Sequence, residues 1–229
     1  MSLLINGCSF AHFWNPSEDF VKYLQCKDVV NLGKPGTGFD RTVRTTIEWI
    51  ATNGKPDFVL IPITLSTRWE LSIAKTEKDI EGTWYGMQHP EYINFDEIDQ
   101  AIPKDKLTSL IETYYGLIPN NRTYWDRLFT NLIGLVSFFE AHNIKYLCWD
   151  MCNHFEHKHI AAYKGFEKLK IIKENKNIID LFGFCGNNHM HKNLPDEQQK
   201  TTDPYMHHHA DKEYRVLESY LIDYLNYKL

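Results

Sequence analysis

Short apolar runs alternate along the chain with segments in which apolar residues recur every three or four positions. The run Leu3-Leu4-Ile5, closed by Gly7, predicts a buried strand over residues 2 to 6 and then a turn. Asn15-Pro16-Ser17 predicts a helix start, with Glu18 and Asp19 in its first turn and Phe20, Val21 and Leu24 at helical spacing. "DVVNL" predicts a second strand, and "GKPGTGFD" a glycine-rich break before a helix carrying Val43, Ile47 and Ile50. "PDFVLIPITL" is apolar throughout, which predicts a strand covered on both faces.

Regularity is lost from about Ser72 to Arg122, where aromatic and acidic residues surround one expected helix near residues 106 to 115. A connection of that length inside a compact domain is expected to be a lid or an embedded subdomain. "YWDRLFTNLIGLVSFFEAHN" restores the helical period, "IKYLCWDM" predicts a fourth strand, Tyr163 to Lys173 another helix and "NIIDL" a short strand. Residues 182 to 210 read as loop, and "DKEYRVLESYLIDYL" closes the chain as an amphipathic helix. Strands alternating with helices predict one α/β domain over residues 1 to 229, with a parallel sheet covered by helices on both faces and an insertion at about 72 to 122. Ligands of such sheets bind at the carboxyl ends of the strands, so the loops 7–13, 33–40 and 64–70 are expected to converge on one edge.

Composition narrows the partners. With 43% hydrophobic residues in 229, the chain can bury a core without metal or disulfide support. A net charge of −5, with scattered basic residues, calls for neither nucleic acid nor an anionic membrane. Five cysteines, an odd count, read as reduced thiols of a cytoplasmic protein. No apolar stretch is long enough to span a bilayer. "LLINGC" resembles a lipoprotein processing site only superficially, because the basic leader and apolar segment of a signal peptide are missing before it.

Candidate chemistry begins at Ser9, in a Gly-x-Ser turn just past the first strand. Such a turn presents a hydroxyl for nucleophilic attack beside backbone N–H groups, although serine in this place also serves as a plain helix cap. Cys185, His189 and His191 could begin a zinc site, but the spacing matches no strict zinc pattern, so no metal and no other cofactor is expected. The glycines of "GKPGTG" lack the lysine of a phosphate loop, which disfavours nucleotide binding.

Read in order, "INGCSFA", "VVNLGKPGTGFDR", an apolar third strand ending in polar residues, and an Asp/His segment before the last helix resemble the SGNH (GDSL-type) hydrolase superfamily. The resemblance is to its divergent phage and marine-bacterial members, whose first block is Gly-x-Ser-Phe. It implies a flavodoxin-like three-layer α/β/α sandwich around a parallel sheet of about five strands. It also implies a Ser-His-Asp hydrolase acting on a small-molecule, carbohydrate or lipid ester, often at an acyl or acetyl group.

On this resemblance Ser9 falls on the nucleophile and Cys8 on a position usually held by Asp. Asn31 and Gly36 match the second block, which makes the Gly36 N–H an expected oxyanion donor together with that of Ser9. The third block departs most: the expected Gly-x-Asn-Asp is replaced by "TLSTRWE", leaving Thr64 or Ser66 to stand in for the asparagine. Arg68 is expected to bind substrate or to pair with Glu70. In the last block Met206 lies three residues after Asp203, where the family has histidine. Counting back from Tyr214 places the base at His208, with His207 and His209 as alternatives, and Asp203 as the carboxylate that orients it. The irregular blocks leave a second reading, a catalytically impaired binding or structural protein of the same fold, for example in a virion.

Overall fold

A computed structural model describes residues 2–64, 66–73, 83–87, 103–117, 121–150, 166–181 and 211–228. Five strands form its central sheet: β1 (Ser2–Ile5), β2 (Asp28–Asn31), β3 (Phe58–Ile63), β6 (Lys145–Asp150) and β7 (Ile178–Asp180). All neighbours are parallel, in the order β2-β1-β3-β6-β7. Two further strands, β4 (Trp69–Ile73) and β5 (Thr83–Met87), form a separate antiparallel pair. The helices are α1 (Ser9–Phe13), α2 (Glu18–Tyr23), α3 (Phe39–Asn53), α4 (Lys104–Leu117), α5 (Asn121–Ala141), α6 (Phe166–Glu174) and α7 (Asp211–Lys228).

Strand residues alternate between two cores, as the pleat requires. Leu4, Val59, Ile61, Ile63 and Cys148 face Phe39 and Ile50 of α3, Leu128, Leu132 and Leu135 of α5, and Leu169 and Ile172 of α6. Leu3, Ile5, Leu60, Leu147 and Trp149 face Phe10 of α1, Phe20 of α2, and Leu217 and Leu221 of α7. The result is the three-layer α/β/α sandwich that the apolar runs predict. Val43 and Ile47, expected on the inner face of the helix after the glycine-rich break, pack on the first of these cores.

Helix α2 starts as its sequence predicts. The Ser17 hydroxyl accepts from the Phe20 amide, and Glu18 and Asp19 occupy the first turn. Two elements escape the pattern. Helix α1 is one turn long and too short for periodicity to register. The β4–β5 pair begins inside the segment expected to be loop, because "WELSI" gains strand geometry only from its partner "TWYGM". The expected helix near 106 to 115 is α4. Among the described residues no helix is long and apolar enough to cross a membrane.

Candidate active site at the carboxyl edge of the sheet

Strand β1 ends at Ile5, and Asn6, Gly7 and Cys8 carry the chain over the sheet edge to Ser9, the first residue of α1. Asn6 is fully buried and holds this turn from beneath. Its carboxamide nitrogen donates to the Thr42 carbonyl (3.1 Å) and to the hydroxyls of Thr45 (2.8 Å) and Thr46 (2.9 Å), while its oxygen accepts from the Gly7 amide (2.9 Å). Cys8 is the N-cap and contributes no side-chain cap bond. The N–H groups of a helix's first residues have no partner within the helix, so those around Ser9 can serve a ligand. Ser9 itself is only 8% exposed.

The loop after β2 is fastened directly to this turn. Leu32 donates its amide to the Ile5 carbonyl (2.8 Å) and Lys34 to the Gly7 carbonyl (3.1 Å), which carries the parallel ladder past the strand ends. Asn31 donates to the carbonyls of Ala11 (2.6 Å) and Trp14 (3.1 Å) and accepts from the Gly33 amide (2.9 Å). Its carboxamide is thus spent on the backbone of α1 and of its own loop. Gly33 lies so close to α1 that a Cβ there would sit 2.5 Å from the His12 nitrogen. Gly36 has φ of +74°, a conformation side chains with a Cβ rarely adopt. Arg41 donates to the Leu32 carbonyl (2.9 Å), and burial pulls its pKa down.

Thr64 follows β3 and is fully buried, and its hydroxyl has no hydrogen-bond partner among the described residues. The strand parity that puts Leu60 on the α1 side of the sheet gives Thr64 the same side. Beyond it, Arg68 lends its carbonyl to Arg127 (2.9 Å). Glu70 is paired with Arg44 of α3 (3.1 Å) in place of the expected Arg68. The pair forms because β4 lies against α3, which brings the carboxylate to a guanidinium 26 positions earlier in the chain. Burial pushes the Glu70 carboxyl upward, with Arg44 opposing the shift.

His208 and Asp203, with the alternatives His207 and His209, lie outside the described residues, as do Cys185, His189 and His191. The chain is described again from Asp211, three positions after His208. There Tyr214, itself 1% exposed, donates its hydroxyl to the carbonyl of Phe10, the residue after Ser9 (2.9 Å). One turn on, the buried Glu218 carboxylate accepts from Trp14 Nε1 (3.1 Å), the Ser17 amide (2.9 Å), the Ser17 hydroxyl (2.6 Å) and Arg215. The helix that follows the His segment is therefore bonded to the one that begins at Ser9. Sequence reasoning missed Glu218 and also Asp150, a fully buried carboxylate at the end of β6. Apart from an acidic residue among apolar neighbours, no sequence signal marks either.

No protein-family model matches the chain, and no curated protein matches it either. Solved structures do. A candidate acylhydrolase from Bacteroides fragilis superposes with a TM-score of 0.51 at 13% identity, covering 99% of this chain and 87% of that one. The psychrotrophic esterase EstA from Pseudoalteromonas sp. gives 0.46 at 12% identity, covering 98% and 96%. A candidate lipolytic protein of the G-D-S-L family from Desulfitobacterium hafniense gives 0.44 at 11%, covering 97% and 98%. The likeness to the first of these is one of fold, over nearly the whole chain: an α/β/α sandwich around a parallel sheet.

Proposed function

We propose that this protein is an SGNH-type ester hydrolase. The observation that carries the reading is the position of Ser9 at the carboxyl end of β1, opening a helix onto which the β2 loop is bonded. In this reading the Ser9 hydroxyl attacks the ester carbonyl carbon while His208 takes its proton. The tetrahedral intermediate then collapses, His208 returns the proton to the departing alcohol, and water repeats the sequence on the acyl-enzyme. Asp203 orients the imidazole. The developing oxyanion is held by the N–H groups of Ser9 and Gly36 and by the Thr64 hydroxyl, which is buried and without a partner among the described residues, as suits a donor that waits for a ligand. Arg68 contributes to substrate binding, and the insertion at about 72 to 122 forms one wall of the pocket. The substrate is a small-molecule ester, with an acyl or acetyl group on a carbohydrate or lipid as the finer proposal.

Hydrolysis of p-nitrophenyl acetate and butyrate by the wild type and by Ser9→Ala tests the reading. The variant is expected to lose about 10⁴- to 10⁶-fold in kcat, as loss of a nucleophile does in serine hydrolases. A fluorophosphonate should label the wild type at Ser9, as read by peptide mass. Equal turnover by the two proteins would remove Ser9 from the mechanism.

A further inference from the structure

The segment after β3 is held in an unusual way. Three consecutive carbonyls, those of Ser66, Thr67 and Arg68, are each taken by a side chain from a helix far along the chain. Arg127 of α5 supplies two of these bonds through one nitrogen, Nη2, at 3.2 Å to Ser66 and 2.9 Å to Arg68. Tyr115 of α4 supplies the third, its hydroxyl 2.8 Å from the Thr67 carbonyl. Arg127 is itself aimed by the Tyr114 hydroxyl (3.2 Å from Nη1) and by Asp40 (3.8 Å from Nε). The same Asp40 accepts from the Glu70 amide (3.2 Å), so the far end of the segment is tied to α3.

A surface loop does not need this. Its carbonyls can bond to water at little cost, whereas a guanidinium with only 26% of its side chain exposed has given up much of its hydration. What the arrangement supplies is immobility, and the group next to it that would use immobility is Thr64. A hydroxyl donor stabilises a developing oxyanion only if it is already in place when the charge appears. Thr64 carries that hydroxyl on a short side chain with one torsion, so it cannot compensate for a shift of its own backbone.

Resting on the ester-hydrolase reading above, we infer that Arg127 is a positioning residue: it locks the segment after β3 so that the Thr64 hydroxyl meets the oxyanion. Arg127 does not touch the substrate. It acts through the Ser66 and Arg68 carbonyls. Lysine cannot replace it, because a single ammonium lacks the planar fork that serves two carbonyls, Tyr114 and Asp40 together.

The test measures Arg127→Lys, Thr64→Val and the double variant against wild type, with p-nitrophenyl acetate as substrate and phenylboronic acid as a reversible tetrahedral adduct of Ser9. Arg127→Lys is expected to lower kcat about tenfold to a hundredfold with KM within about twofold, and to weaken the boronic acid by a similar factor. Thr64→Val should do the same, and the double variant should lose no more than the worse single one, because both act on one donor. A purely structural Arg127 would lower the melting temperature and would either leave kcat unchanged or give a loss that multiplies with that of Thr64→Val in the double variant. Either of the last two results overturns the inference. If Arg127→Lys does not fold, Tyr115→Phe takes its place in the cycle, with a smaller expected loss and the same requirement of non-additivity. Wild-type turnover that survives in Ser9→Ala, or is absent altogether, sinks the hydrolase reading and this inference with it. Ser9-dependent turnover that is indifferent to Arg127 and Tyr115 sinks the inference alone.

Discussion

The loop after β2 and the segment after β3 both border the candidate site, and they are held by opposite means. The β2 loop is held at contact distance by backbone pairing and one carboxamide, with Gly33 pressed against α1. The β3 segment is held at arm's length by charged and phenolic side chains from α3, α4 and α5. The first arrangement tolerates no added atom. The second depends on electrostatics and on the geometry of a guanidinium.

Gly33→Ala is therefore expected to have the largest effect on stability. Its Cβ would meet the backbone of His12 and Ala11 within 2.9 Å, and backbone cannot step aside as a flexible side chain can. The expected cost is about 3 kcal/mol, near the upper end for overpacking, or roughly 6–12 °C in thermal unfolding of a domain of this size. An unchanged melting temperature would show that the β2 loop does not press against α1.

Asn31→Ala comes next. It removes three bonds to backbone groups of α1 and the β2 loop, at an expected cost of about 1–2 kcal/mol by denaturant unfolding, since water can reach part of the site. Asn31→Asp should recover little, because a carboxylate cannot donate to the Ala11 and Trp14 carbonyls. Full recovery by Asp would mean that only the bond from the Gly33 amide matters.

The smallest effect belongs to the β3 segment and depends on pH. Burial raises the Glu70 carboxyl, so the folded protein holds this proton more tightly than the unfolded chain does. Its contribution to stability is then fully present below the unfolded value of about 4.3 and declines as pH rises through the folded value. Glu70→Gln should lack this decline, so the stability difference between the variant and wild type should shift in the variant's favour from pH 4 to pH 8. A shift in the opposite sense would show that Arg44 outweighs burial and would make the segment more strongly anchored than the carboxyl's upward shift implies.

Much of the frame is legible along the chain, for a local reason. "LLI", "FVLIPI" and "YLCW" are apolar on both faces because helices cover both faces of the sheet, and a doubly covered strand cannot alternate. The amphipathic faces of α3 and α7 are legible through the same burial. Ser9 is legible because a glycine must precede a tight exit from a strand, and Gly33 to Gly36 because their turn follows the next strand. Glu218 is not, since its partners Trp14 and Ser17 lie more than 200 positions away. Nor is the Arg44 to Glu70 pair, which exists only because β4 folds back on α3.

By itself the sequence determined the chain order of the five central strands and of the helices longer than one turn, the edge at which the loops gather, and the serine that stands there, because each follows from which neighbours in the chain are apolar, small or polar. Only the tertiary structure decided what holds that edge still. Arg127 reaches carbonyls 59 and 61 positions earlier, and a bond to backbone asks nothing of the side chain at its other end. Such a contact leaves no pattern in the residues it joins.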